Sequence, residues 1–160
     1  MQNFTTKTEL VAYLKTTTKK KTIGFAATMG ALHRGHLSLI EESNKKCDIT
    51  ICSLFVNPTQ FNNASDLVNY PNTRDADLAK LEESACDIVY SPAIKDLYEK
   101  GEKAKEFDFG SLTTSMEGKF RPGHFMGMAT IVEKLFNIIQ PTIAFFGQKD
   151  LQQLQIVRDL

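Results

Sequence analysis

The sequence predicts a doubly wound α/β domain, a parallel sheet with helices on both faces. Two observations predict it. Short β-rich apolar runs at Thr22–Thr28, Asp48–Val56, Cys86–Tyr90 and Thr142–Phe146 alternate with segments of helical apolar spacing. The first run, a helix and the second run also fit within the 35 residues from 22 to 56. That is the length of a βαβ unit, which closes with a right-handed crossover.

Taken in order, Thr8 to Thr16 reads as a short leading helix with Leu10, Val11 and Leu14 on one side. Strand Thr22–Thr28 follows, then a helix from about His36 to Lys46. Asp48–Val56 is a central strand that ends in the turn Asn57–Phe61. Residues 62–73 are polar and read as loop. Thr73 is placed to cap a helix over 74–84, with Leu78 and Leu81 inward. Strand Cys86–Tyr90 ends at Ser91-Pro92, and 96–110 reads as a loop with an edge strand. A loop at 118–124 opens onto a helix, Phe125–Ile139, which Pro141 stops. Strand Thr142–Phe146, the turn Gly147–Asp150 and a last helix to Leu160 complete the chain.

Composition narrows the function. The 160 residues suffice for one domain with a real core. Lys plus Arg and Asp plus Glu number 19 each, giving zero net charge, which argues against a nucleic-acid or membrane-surface binder. No apolar run approaches the roughly 20 residues of a bilayer span, and Met1–Leu10 lacks a signal-peptide core. Cys47, Cys52 and Cys86 are odd in number and sit on or beside apolar segments. They read as reduced, buried thiols of a cytoplasmic protein.

The chemistry concentrates after the first strand, in Thr28-Met-Gly-Ala-Leu-His-Arg-Gly-His36. A strand–turn–helix join offers free backbone N–H groups and a helix dipole to an anion such as phosphate. Gly30 and Gly35 leave room for a ligand. His33 and His36 share a helical face and suit phosphate oxygens. Such a pair also suits a metal, but the chain has only one other His. Asn57 and Gln60 follow the second strand, and Gly147 to Asp150 with Gln152 and Gln153 follow the late one. In a parallel sheet these sets converge on the edge where ligands bind. The amides suit hydroxyls and a carboxylate. Lys149 supplies a charge for phosphate, and Asp150 suits a ribose hydroxyl or Mg²⁺. Gln152 reads as ordinary loop or capping polarity.

The residues resemble the pantoate–β-alanine ligase (pantothenate synthetase) family. Six segments carry the resemblance in the family's order. They are Thr28–Leu39, Phe55-Val-Asn-Pro-Thr-Gln-Phe61, Asp66-Leu-Val-Asn-Tyr-Pro71, Arg121-Pro-Gly-His-Phe125, Lys134-Leu-Phe-Asn137 and Phe146-Gly-Gln-Lys-Asp-Leu-Gln-Gln153. The resemblance implies the Rossmann-like first domain of the HIGH-motif nucleotidyltransferase-like superfamily. It implies an ATP- and Mg²⁺-dependent ligation of pantoate and β-alanine through pantoyl adenylate, in a homodimer. It places ATP on Met29, Gly30, Ala31, Leu32, His33, Arg34, Gly35 and His36, and on Gly147, Gln148, Lys149 and Asp150. His36 is implied as proton donor with His33 beside it. Gln60 and Gln153 are implied for pantoate, and Gln60 for β-alanine; Asn57, next to Gln60, joins them as a pantoate candidate.

Three departures stand out. Ala27 occupies the family's usual Pro, and Asn72 its usual Arg. The chain also stops at Leu160, where the family continues for over a hundred residues with a closing loop and a C-terminal domain. Residues 1–160 are therefore expected to be the N-terminal nucleotide- and pantoate-binding domain. The competing readings are a nucleotidyltransferase of the same superfamily and a binding or dimerisation module without turnover.

Overall fold

The computed structural model describes residues 1–160, the side chain of Ala64 excepted. The strands are β1 (Gln2–Phe4), β2 (Ile23–Thr28), β3 (Ile49–Leu54), β4 (Ile88–Tyr90) and β5 (Ile143–Ala144). The helices are α1 (Lys7–Thr17), α2 (Arg34–Lys46), α3 (Ala64–Val68), α4 (Arg74–Glu83), α5 (Ile94–Leu97), α6 (Met116–Phe120), α7 (His124–Ile139) and α8 (Leu151–Asp159). Single 3-10 turns lie at Pro58–Gln60, Gly110–Thr113 and Gln148–Asp150.

The five strands form one sheet in the order β1-β4-β3-β2-β5, and every pairing is parallel. From β2 the chain steps outward through β3 to β4, then returns to place β5 on the other side of β2. The strand order therefore reverses between β2 and β5. At such a switch the connections leave in opposite directions and open a crevice at the strands' carboxyl ends.

Alternation within the strands fills both faces. Ile23, Phe25, Ile49, Ile51, Ile88 and Tyr90 point into one core with Leu10 and Leu14 of α1, much of α7, and Ile156 of α8. Ala26, Cys52 and Val89 point the other way, into a core with Ile40 of α2 and Leu81 of α4. Gly24 keeps α2 close: a Cβ there would lie 2.0 Å from Ser43 Oγ, which pairs with Thr50 Oγ1 at 2.8 Å. Gly127 does the same for α7, where a Cβ would come within 2.3 Å of the Thr59 carbonyl oxygen. The amide turn after β3 is thereby pressed onto α7.

The structure departs from the sequence reading at several places. β1 was not expected; three residues with two exposed polar side chains give no pattern, and pairing with β4 makes them a strand. Residues 62–73 hold α3, capped by the Asn63 side chain on Ser65 N–H. The edge strand expected within 96–110 is absent, and α5 and irregular chain take its place. α2 begins at Arg34 rather than His36. Strands are shorter than their apolar runs, as at β5, which keeps two residues. Asp48 leaves β3 because its carboxylate accepts from Thr22 N–H and Oγ1, both at 2.7 Å.

Candidate functional site

The loop from Met29 to His33 leaves β2 through a left-handed turn, with φ +85° at Gly30 and +50° at Ala31. A buried carboxylate holds it there. Asp77 of α4 accepts from Ala31 N–H at 2.8 Å and from Leu32 N–H at 2.7 Å, and Thr73 Oγ1 donates to it at 2.9 Å. Asp77 is only 2% exposed. This corrects the expectation of free loop N–H groups for phosphate: Asp77 already takes those of Ala31 and Leu32. Thr73 stands at the start of α4 as expected, but its side chain makes no capping bond and serves Asp77 instead. Leu32 turns its side chain into the second core, and Lys80 Nζ donates to its carbonyl at 2.6 Å.

His33 and His36 cap α2 reciprocally. Gly35 N–H donates to His33 Nδ1 at 3.1 Å, and His33 N–H donates to His36 Nδ1 at 3.4 Å. The rings stack with centroids 4.0 Å apart. Because each Nδ1 accepts, each neutral ring carries its proton on Nε2. His36 thus presents an Nε2 N–H while its other nitrogen is spent on the backbone. Burial first, and then the neighbouring His33, hold the His36 pKa below its ordinary value. The ring is neutral at pH 7 and acts there as a hydrogen-bond donor.

A cavity of about 160 Å³ lies at the carboxyl edge. Met29, His36, Asn57, Gln60, Asp150 and Gln153 line it, so all three strand-end sets converge as the topology required. Its apolar wall includes Phe55, Met128, Ile131, Val132 and Phe146. Outside its lining are exposed His33, Arg34, Gly35, Gly147, Gln148 and Lys149, together with Ala31 and the core residue Leu32. Gly30 lines a neighbouring cavity of about 430 Å³, which shares Met29 and Tyr70 with the first.

The amides differ in what they have left to offer. Asn57 is 1% exposed and fully engaged. Its Nδ2 donates to Gln60 Oε1 (3.2 Å) and the Gly127 carbonyl (3.0 Å), and its Oδ1 accepts from Tyr98 OH (2.8 Å) and Thr59 Oγ1 (3.1 Å). Gln60 has its Oε1 fixed by that bond, and its Nε2 faces Met29 Sδ at 2.7 Å, a weak acceptor. Its backbone carbonyl is paired with His124 Nδ1 at 2.9 Å. The Gln153 side chain makes no hydrogen bond among the described residues, and the residue lines the cavity. Gln152 is structural: its Oε1 accepts from Glu117 N–H at 3.1 Å, and its Nε2 donates to the carbonyls of Leu112 and Ser115. Burial raises the Cys86 thiol to about 12 and Cys52 well above its ordinary value. Both stay protonated and unreactive at neutral pH.

Sequence reasoning missed Asp77, His124 and Ser53. Asp77 carries no signal, since an acid in a first helical turn reads as ordinary dipole compensation. Ser53 reads as a strand residue, yet it lines the cavity and its buried Oγ has no hydrogen-bond partner among the described residues. His124 lies in a quoted motif, but nothing local ties it to Gln60.

Fold and site define a doubly wound α/β domain with a cavity at the strand-order switch. The model of the pantoate-beta-alanine ligase family matches residues 2–160, and the chain belongs to that family. It is 52% identical over 159 residues to the pantothenate synthetase of Flavobacterium psychrophilum, covering 98% of this chain and 56% of that protein. A pantothenate synthetase of Porphyromonas gingivalis is 51% identical over 140 residues, 88% of this chain and 50% of its own. The chain thus spans about half the length of these curated relatives. The pantoate-beta-alanine ligase of Francisella tularensis, solved in complex with beta-gamma ATP and beta-alanine, superposes with a TM-score of 0.95 at 38% identity. That match covers 99% of this chain and 61% of the other. Pantothenate synthetase from Thermus thermophilus gives 0.90 at 40% identity, covering 99% and 58%.

This geometry makes two predictions. Asp77→Ala leaves two backbone donors unpaired and lowers stability by roughly 2–4 kcal/mol in urea unfolding; Asp77→Asn, which keeps an acceptor, costs less. Equal losses would mean that the negative charge and both acceptor oxygens are needed, and that one neutral acceptor of the same volume does not hold the loop. Second, the His36 ring titrates in an NMR pH series below the ordinary 6.5, and His33→Asn, which keeps a capping side chain, moves that midpoint up. A wild-type midpoint at or above 6.5 contradicts the neutral-donor assignment.

Proposed function

We propose that residues 1–160 form the N-terminal nucleotide- and pantoate-binding domain of an ATP-dependent pantoate–β-alanine ligase. The observation that carries this reading is the single cavity in which Gln60, Gln153, His36 and Asp150 meet beside an apolar wall. Pantoate has two methyl groups for that wall and two hydroxyls and a carboxylate for the amides. A pantoate carboxylate oxygen attacks the α-phosphorus of ATP, and pyrophosphate leaves. The amine of β-alanine then attacks the acyl carbon of pantoyl adenylate, losing a proton as AMP departs, and pantothenate forms.

The residues divide the work. The His36 Nε2 N–H meets charge developing on the phosphates, and such a donor is worth more in the transition state than in the ground state. His33 holds His36 in its tautomer. Gln60 and Gln153 orient pantoate, with Gln60 also near β-alanine. Asn57 and His124 are positioning residues that act through Gln60. The loop 29–36 and Gly147–Asp150 take the nucleotide, with Lys149 on phosphate. Mg²⁺ fits as a companion of ATP: this ion keeps waters and needs one or two carboxylates besides phosphates, and Asp150 lines the cavity whereas Asp77 is engaged. When bound, it neutralises phosphate charge. No group of three or more His, Cys, Asp or Glu side chains placed to hold a metal occurs among the described residues.

A cytoplasmic location and a homodimer formed through this domain complete the proposal. The free cysteines support the first, and the family resemblance supports the second. Among the described residues, no helix is long and apolar enough to cross a membrane.

Pyrophosphate release with ATP, Mg²⁺ and pantoate tests the reading. A protein carrying this domain at the relatives' full length should turn over, and His36→Ala should slow its adenylation by roughly 10²–10³. Residues 1–160 alone should release negligible pyrophosphate, because leaving-group charge must be met from several sides in a closed site. Release independent of pantoate favours a nucleotidyltransferase, and no release from the longer protein favours a binding module.

A further inference from the structure

Ser53 is fully buried, at 0% exposure. Its Oγ is the one buried side-chain nitrogen or oxygen without a hydrogen-bond partner among the described residues. An unpaired buried hydroxyl destabilises a folded chain, so such groups are rare without a compensating partner. This one lines the cavity that also holds Gln60 and Gln153.

The neighbours explain why the hydroxyl stays open. Ser53 sits on β3 directly across from Ala27 of β2, and paired side chains share a sheet face. Ala27 offers only a methyl group, and Tyr90, which pairs with Ser53 from β4, spends its hydroxyl on Asp96 at 2.9 Å, so neither ladder neighbour satisfies the Oγ. Thr28, the adjacent hydroxyl, already donates to the Ser53 backbone carbonyl at 2.7 Å and accepts from Gly30 N–H at 3.3 Å. Asn57 has no capacity left. These neighbours leave the Oγ without a partner among the described residues, on a residue that lines the cavity.

We propose that the Ser53 hydroxyl is a specificity-determining contact of this cavity and takes the 4-hydroxyl of pantoate at its floor. The inference rests on the proposed function. If the pantoate carboxylate reacts with ATP, it must lie toward His36, which is partly exposed at the nucleotide side. The 4-hydroxyl is at the opposite end of the four-carbon acid and so points to the buried end, where Ser53 lies. Phe55, Ile131 and Val132 then flank the two methyl groups. A hydroxyl that both donates and accepts suits an alcohol, whose own oxygen does both. A buried polar group of this kind also discriminates strongly, because a ligand lacking the hydroxyl leaves it unpaired.

The experiment is calorimetric titration of the 160-residue chain with two acids, pantoate and 2-hydroxy-3,3-dimethylbutanoate, which lacks the 4-hydroxyl. Wild type should prefer pantoate. Ser53→Ala should bind pantoate about tenfold more weakly and the shorter acid within about twofold of wild type, the pattern of a direct contact. The thermal midpoint of unliganded Ser53→Ala should stay level or rise, since the lost hydroxyl had no partner. Equal losses for both acids would reveal a packing role, and no loss would mean that Ser53 meets water alone; either overturns the proposal. Gln153→Ala separates the layers. If it weakens pantoate while Ser53→Ala does not, only the Ser53 assignment falls. If wild type takes up no pantoate, the function reading falls and this inference with it.

Discussion

The site depends on one buried carboxylate. Asp77 joins α4 to the loop that leaves β2, across 46 residues of sequence, through bonds to Ala31 and Leu32 N–H. That loop uses a left-handed residue other than glycine, Ala31 at φ +50°. Such a conformation costs about 1–2 kcal/mol and persists only where its surroundings over-determine it. Gly30 supplies the rest of the turn: a Cβ there would sit 3.1 Å from Asp77 Oδ2, so the carboxylate and the glycine fit each other. The start of α2, and with it His36, is placed by this clamp.

The clamp changes which hydrogen-bond donors the edge leaves open. Two loop N–H groups that the strand–turn–helix join would offer to phosphate belong to Asp77. The His33–His36 pair spends its Nδ1 atoms on the backbone, leaving two Nε2 donors. The donors that this edge leaves open are then side chains on a rigid frame, with the dipole of a 13-residue helix behind them. The same logic governs the amide turn, where Asn57 and His124 use their hydrogen bonds to fix Gln60. In both places buried polar groups orient the group that faces the cavity.

Much of this was legible in the sequence. Short β-rich apolar runs marked β2 to β4, apolar positions at helical spacing marked α2, α4 and α8, and parallel topology brought Gln60, Gln153 and His36 to one edge. What escaped was tertiary. β1 has no pattern of its own and exists by pairing with β4. Asp77 reads as a first-turn acid until the fold sets it beneath the loop. Asn57 reads as a ligand because an amide after a strand is chemically apt, and only packing against α7 and Tyr98 shows its amide to be occupied. Ser53 reads as strand filler, and its significance lies in a partner that is missing.

The central claim is that one cavity, at the strand-order switch, receives pantoate. Five methionines report on it: Met29 and Met128 line the cavity, whereas Met1, Met116 and Met126 do not. The direct measurement is a titration of the methionine ε-methyl-labelled chain with pantoate, followed by NMR. The account predicts saturable shifts at Met29 and Met128, with the other three methyls unmoved. Shifts confined to Met1, Met116 or Met126, or no saturable shift at any methyl, would contradict it.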